Sequence, residues 1–190
     1  LDEDDELVDV RMTCGDDTLV IGTHNGMAIH FRETDVRPMG RVTHGVRGIH
    51  LGGGDYVVGM ARAVAGATLL SVTERGFGKR TALTEYKIQT RGGKGLRNYA
   101  LSQKTGKVVG IRAVDAADDI MLISSDGIII RMQLDTIPLI GRSTQGVRLM
   151  RLQPDVSIVN FAVTERAAEE PEQADADEGA QAPAAAEEQA

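Results

Sequence analysis

The chain has no tryptophan and a single cysteine, Cys14, and its aromatic residues make up only 3% of 190 positions. Each shortage excludes something. One thiol cannot build an internal disulfide framework or a cysteine-based metal cluster, which fits a reducing compartment. So few rings exclude a large aromatic core or stacking platform. No apolar run nears the roughly 20 residues that a membrane helix needs. Leu1–Asp9 is acidic where a secretion signal is basic and then apolar, so a cytoplasmic chain is expected. No initiating Met stands at position 1, and the sequence reads as a fragment or a processed product.

Charge is present in plenty but unevenly placed. The formal net charge is -7, from 21 Lys and Arg against 28 Asp and Glu. Residues 1–9 hold six acids and no base, and residues 165–190 hold nine acids and one base, Arg166. The body between them keeps 13 acids, 20 bases and all four histidines, a net of +7. An acidic average thus hides a basic body between acidic ends, an asymmetry that speaks about partners rather than fold.

The body repeats. Thr23-His24-Asn25-Gly26, Thr73-Glu74-Arg75-Gly76 and Ser124-Ser125-Asp126-Gly127 place glycines 50 and 51 residues apart, and Gly45, Gly95 and Gly146 follow each by 19. Val8, Val58, Val108 and Val159 supply an apolar column at the same step. Each unit reads as four strands. Thr18–Thr23, Thr68–Thr73 and Ile120–Ser124 run into turns, of which Asn-Gly and Asp-Gly are strong hairpin signals. Met27–Arg32, Phe77–Leu83 and Ile128–Leu134 follow, then Val46–Leu51, Leu96–Leu101 and Val147–Leu152, then the strand of the valine column. Four strands per unit of about 50 residues is the pattern of an all-β, propeller-like array of four-stranded blades. The expected division is residues 1–11 as the last strand of a preceding blade, blades at 12–62, 63–112 and 113–164, and an acidic disordered tail at 165–190. About three blades do not close a ring, so the chain is expected to be part of a larger array.

Several columns are basic: Arg41, Arg91 and Arg142; Arg47, Arg97 and Arg148; and His30, Arg80 and Arg131, with Lys79 beside Arg80. A column in a blade array maps to one feature repeated from blade to blade. Such a belt suits an evenly charged polymer, above all a duplex backbone. Exposed arginines also keep strands soluble, but recurrence in a body at +7 favours the belt. Gln89-Thr90-Arg91-Gly92-Gly93-Lys94-Gly95 is the sharpest local feature. Its glycines permit a close approach to a ligand, and its amides, with Arg91 and Lys94, suit a phosphate. A flexible hairpin turn explains the same letters, and no Gly-Lys-Ser/Thr opens a helix there. The four histidines, all in the first repeat, lack the spacing of a metal site, and no catalytic constellation is present. Tyr56, Tyr86 and Tyr99 read as strand or packing residues.

Gln89–Gly95 resembles the seven-residue box Gln-Arg-Arg-Gly-Gly-Lys-Gly of the DNA gyrase A protein, with Thr90 in place of the first arginine. Gly76-Phe77-Gly78-Lys79-Arg80-Thr81, Gly141–Val147 and Met39-Gly40-Arg41 with Gly45–Ile49 are similar to the same family. The resemblance spans residues 7–164 and the acidic tail. It implies the last three blades of a C-terminal β-pinwheel that wraps duplex DNA and supports ATP-dependent negative supercoiling by a type II topoisomerase. It implies no catalytic residue or metal in this segment, with ATP and Mg on other parts of the holoenzyme. The implied partners are duplex DNA, a second gyrase A protein and the gyrase B protein, in a nucleoid-associated cytoplasmic enzyme. The DNA-facing set it implies is Arg41, Arg47, Lys79, Arg80, Gln89, Arg91, Gly92, Gly93, Lys94, Gly95, Arg97, Arg131, Arg142 and Arg148. The family's essential box belongs to its first blade, whereas Gln89–Gly95 lies in the middle one here. Alternatives are the C-terminal domain of the corresponding topoisomerase IV protein and a protein-binding propeller scaffold; such scaffolds carry aromatic blade motifs that this chain lacks.

Overall fold

A computed structural model describes Glu3 and residues 5–166. Eleven strands form: β1 Thr18–Thr23, β2 Met27–Arg32, β3 Val57–Ala63, β4 Thr68–Thr73, β5 Phe77–Ala82, β6 Leu96–Arg97, β7 Val108–Val114, β8 Asp119–Ser124, β9 Ile129–Gln133, β10 Val147–Arg148 and β11 Ile158–Thr164. The only helical pieces among the described residues are three single 3₁₀ turns after β2, β5 and β9. No described helix is long and apolar enough to cross a membrane.

The strands make three antiparallel sheets, ordered β3-β1-β2-β6, β10-β5-β4-β7 and β11-β8-β9. Gly26 and Gly76 close the first two hairpins at φ +76° and +74°, a region that glycine enters without steric cost. The order differs from four strands drawn from one repeat. Each of the first two sheets takes three strands from its own repeat and the fourth from the next. Leu96 and Arg97 pair with Ala28 and Met27, and Val147 and Arg148 pair with Gly78 and Phe77. The third sheet has no donated strand among the described residues, and β9 keeps an open edge with Ile128 and Ile129 exposed.

Other sequence expectations also shift. The third strand is two residues long where it pairs, and Val46–Leu51 forms none, since no described second strand precedes it. Leu7–Arg11 is not a strand; the Asp9 carboxylate instead accepts from Met60 N (3.3 Å) and pairs with Arg11 and Arg112. The valine column slips by one residue. Gly22, Val72 and Ile123 face Gly59, Gly110 and Asn160, so Val108 is equivalent to Val57 and Ile158 rather than to Val58 and Val159. The second repeat has one extra residue between Gly95 and β7. Of the tail expected over 165–190, only Glu165 and Arg166 are described; Arg166 pairs with Asp119 (3.2 Å) and Asp135 (2.9 Å), and the rest lies outside the described residues.

Two of the three cores lie between consecutive sheets; the third, around Leu19, Ile29, Phe31 and Ile49, belongs to the first repeat alone. Val20 and Ala28 of the first sheet pack with Leu69, Val108 and Ile111 of the second. Leu70, Val72 and Val114 of the second pack with Ile120, Leu122 and Phe161 of the third. Burial of each such aliphatic or aromatic side chain contributes about 1.5–3 kcal/mol, so most apolar stabilisation here is shared by two repeats. Tyr86 and Tyr99 are part of this packing, as expected, and burial holds both phenols well above the usual tyrosine range.

Candidate nucleic-acid interface

Strand donation sets the geometry of the basic columns. Donated β6 carries Arg97 and β10 carries Arg148, each beginning just after a left-handed glycine, Gly95 (φ +71°) or Gly146 (φ +70°). Both arginines are exposed, as are Arg41, Arg47 and Lys94. Arg91 lies on the first repeat, donating from Nε to Asp35 O (2.8 Å) and from Nη1 to Arg47 O (3.0 Å). Arg142 repeats the move one unit on, donating from Nη1 to Arg97 O (2.9 Å). Two of the three basic columns therefore interlock. Arg91 stands on the backbone of Arg47, and Arg142 on that of Arg97. The result is a ladder in which a half-exposed, braced guanidinium alternates with an exposed one.

The box-like segment is a buckle between repeats. Gln89 N donates to His30 O (2.7 Å), Gly92 N to Gly48 O (2.6 Å), and Gly93 O accepts from His50 N (2.8 Å). A Cβ on Gly95 would stand 2.4 Å from the Ala28 carbonyl oxygen, so that glycine allows the close approach. The Gly92 amide is thus already used, which corrects the expectation that it is open to a phosphate. Lys94 is the exposed basic group of the segment, Arg91 being half-buried.

The third basic column is of another kind: the DNA-facing reading is corrected for Lys79 and Arg80, which are buried, while Arg131 stays exposed. Arg80 is 8% exposed and donates from Nε to Ile137 O (2.8 Å). His30 makes the equivalent contact, with Nδ1 2.8 Å from Tyr86 O. Arg131 pairs with Asp119 at 2.8 Å. Lys79 is fully buried, its Nζ donating to the carbonyls of Gly141 (2.9 Å) and Arg142 and to Thr144 Oγ1 (3.3 Å), 4.9 Å from the centre of the Tyr99 ring. β5 is buried over five consecutive residues, so alternation leaves it no wet face. Lys79 positions the Arg142 loop rather than meeting a ligand.

Burial pushes the Lys79 ammonium down to about 8 from 10.5, with Glu85 opposing and Arg142 adding to the fall. Between these values the unfolded chain holds the proton that the folded chain has released. Stability therefore rises as pH climbs from about 8 towards 10.5. Urea unfolding at pH 7.5 and 10 is expected to show this rise in the parent and to lose it in Lys79→Met; equal pH slopes would remove the assignment.

Three exposed cations escape a search for columns, because they do not recur. Arg75, Lys104 and Arg151 gather with Arg148 around a groove of about 780 Å³ whose floor includes Phe77. The positions equivalent to Arg75 are Asn25 and Asp126, and those equivalent to Arg151 are His50 and Ala100. Among the described residues no group of His, Cys, Asp and Glu could hold a metal ion.

Comparison with known proteins bears on the same residues. The family model for the DNA gyrase C-terminal domain, a β-propeller, matches residues 17–63, 67–115 and 118–165. The DNA gyrase A protein of Staphylococcus aureus (strain MRSA252) is 42% identical over 170 residues, covering 88% of this chain and 19% of the relative. The chain thus spans about a fifth of the length of the curated relatives it matches. The crystal structure of the C-terminal domain of DNA topoisomerase IV superposes with a TM-score of 0.81 at 28% identity, over 87% of this chain and 52% of that one. The structure of the DNA gyrase A C-terminal domain superposes at 0.73 and 29% identity, over 78% and 51%. The three matched segments coincide with the three repeats and carry both interlocked arginine columns, and the chain belongs to the DNA gyrase C-terminal domain family of β-propellers.

Proposed function

We propose that this chain is the part of a gyrase A protein that holds duplex DNA, and that it does so along the arginine ladder. The supporting observation is the bracing of Arg91 on Arg47 and of Arg142 on Arg97. The same brace at two successive junctions repeats the charge from blade to blade, as a regular polyanion requires. Arg41, Arg47, Lys94, Arg97 and Arg148 supply the exposed charge. Among the described residues no helix stands ready to read a groove, so contacts are to phosphates and carry little base preference. Bending a short duplex costs on the order of 1–6 kcal/mol, which many such contacts together offset. In the holoenzyme this path presents a handed crossing to the strand-passing core, in support of ATP-dependent negative supercoiling. A second gyrase A protein and the gyrase B protein are the partners, with ATP and Mg held outside this chain, in a nucleoid-associated enzyme. The 42% identity to a gyrase protein favours this reading over topoisomerase IV, whose domain shares the fold.

The test is affinity for unrelated short duplexes across a salt series. Each phosphate contact contributes about 0.9 to the slope of log affinity against log salt. Arg97→Ala with Arg148→Ala is expected to flatten that slope by about 2 and to weaken binding at least tenfold at 0.1 M salt, whatever the duplex sequence. A parent slope near zero would overturn the reading.

A further inference from the structure

The groove beside the ladder has features that a polymer path does not explain. Lys104 Nζ and the Arg148 guanidinium carbon each stand 5.3 Å from the centre of the same Phe77 ring. Arg75 and Arg151 line the same groove, and among the described residues none of the four cations forms an ion pair. Glu74 and Asp155 are also in the lining, but Glu74 packs against Gly106 and neither carboxylate reaches a lining cation. Converging like charges over a low-dielectric floor repel one another, and an anion seated between them relieves the repulsion.

The groove's size and its singularity identify the anion's class. Its volume lies in the range of small-molecule sites, and it is concave. Unlike the ladder, this set of cations occurs at one of the two junctions between described repeats, between the Glu74–Gly76 turn and the loop after Arg148. A duplex backbone would require the same feature in each blade. The lining includes three guanidinium groups and one ammonium, donors that match multidentate phosphate oxygens. We propose that this groove binds a compact polyphosphate, either inorganic triphosphate or the phosphate chain of a nucleotide. Because Arg148 belongs to both the groove and the ladder, the bound anion competes with DNA for that arginine. This competition rests on the DNA reading above, whereas binding of the polyphosphate does not.

Titration calorimetry of the 190-residue chain with sodium tripolyphosphate, and separately with ATP without metal, tests the site. Lys104→Ala with Arg151→Ala leaves the ladder intact and is expected to weaken tripolyphosphate at least tenfold. Lys87→Ala, an exposed lysine outside the groove, is expected to leave it unchanged. Similar affinity for both ligands points to the phosphate chain alone, and tighter ATP shows that the nucleoside is also held. Equal loss in the Lys87 control, or no binding by the parent at millimolar tripolyphosphate, overturns the proposal. So does a double variant that loses duplex affinity while tripolyphosphate fails to bind the parent, because the cations then serve the duplex path. If tripolyphosphate binds the groove but does not displace duplex, the site stands and the DNA reading at Arg148 fails.

Discussion

Gly146→Ala is expected to destabilise the chain by about 3 kcal/mol or more, at the severe end for a single substitution. Two causes add. The residue sits at φ +70°, where an L side chain costs roughly 1–2 kcal/mol. Its new Cβ would also stand 2.3 Å from the Tyr99 hydroxyl and 2.6 Å from the Gly78 carbonyl oxygen. The second contact is with backbone of the receiving sheet, so relief requires β10 to lift away from β5. Gly95→Ala meets the Ala28 carbonyl oxygen at 2.4 Å and is expected to cost as much. Gly45, with φ +73° but nothing within 4 Å, separates the two causes. Its alanine variant carries the conformational cost alone, about 1 kcal/mol. Urea unfolding of the three variants checks this, and equal losses at positions 45 and 146 would show that contact between repeats is not what these glycines serve.

Asn98→Ala carries the second large effect, also about 3 kcal/mol. Asn98 is 1% exposed and holds together a buried polar trio: it accepts from the Tyr86 hydroxyl at 2.5 Å and donates to Ser71 Oγ at 3.0 Å. Its removal strands a phenol and a hydroxyl in the core, at about 1–3 kcal/mol for each group, and opens a small void. Tyr86→Phe deletes one partner only and is expected to cost about 1 kcal/mol. The third repeat places Leu122, Ile137 and Leu149 at the equivalent positions. Transplanting that apolar trio onto positions 71, 86 and 98 removes every polar partner at once, and is expected to lose less than Asn98→Ala does. Thermal unfolding of the three variants measures the order; a triple variant weaker than the single one would show that the trio stabilises by more than mutual satisfaction.

What the sequence could disclose follows from what repetition encodes. The period, the hairpins at Gly26 and Gly76 and the strand types were legible, because turn chemistry and β-rich runs are local. Strand donation was not. The letters Leu96-Arg97 read the same whether they pair within their own repeat or with the one before. The inward turn of Lys79 and Arg80 was hidden for a related reason. Recurrence shows that a column does one job, without showing whether that job faces water or a neighbouring carbonyl. The valine column failed through a one-residue insertion that a fixed step cannot detect. The interlocked arginines were found as columns, but their bracing on one another depends on contacts made 44 and 45 residues apart. Arg75, Lys104 and Arg151 stayed unseen because nothing at their positions repeats.

Borrowing the last strand from the text one period later has an evolutionary consequence. Excision of one whole period rejoins a donor to an acceptor wherever the cuts fall, within a strand or within a loop, because every junction carries both halves of the same joint. Insertion of one period does likewise. Recombination between repeats of a gene of this kind can therefore lengthen or shorten the array without passing through a product whose interior sheets lack an edge partner, whereas a deletion that removes a donated strand without its acceptor leaves one unmatched. Blade number becomes a freely varying quantity, and the joint between blades is what selection must hold constant.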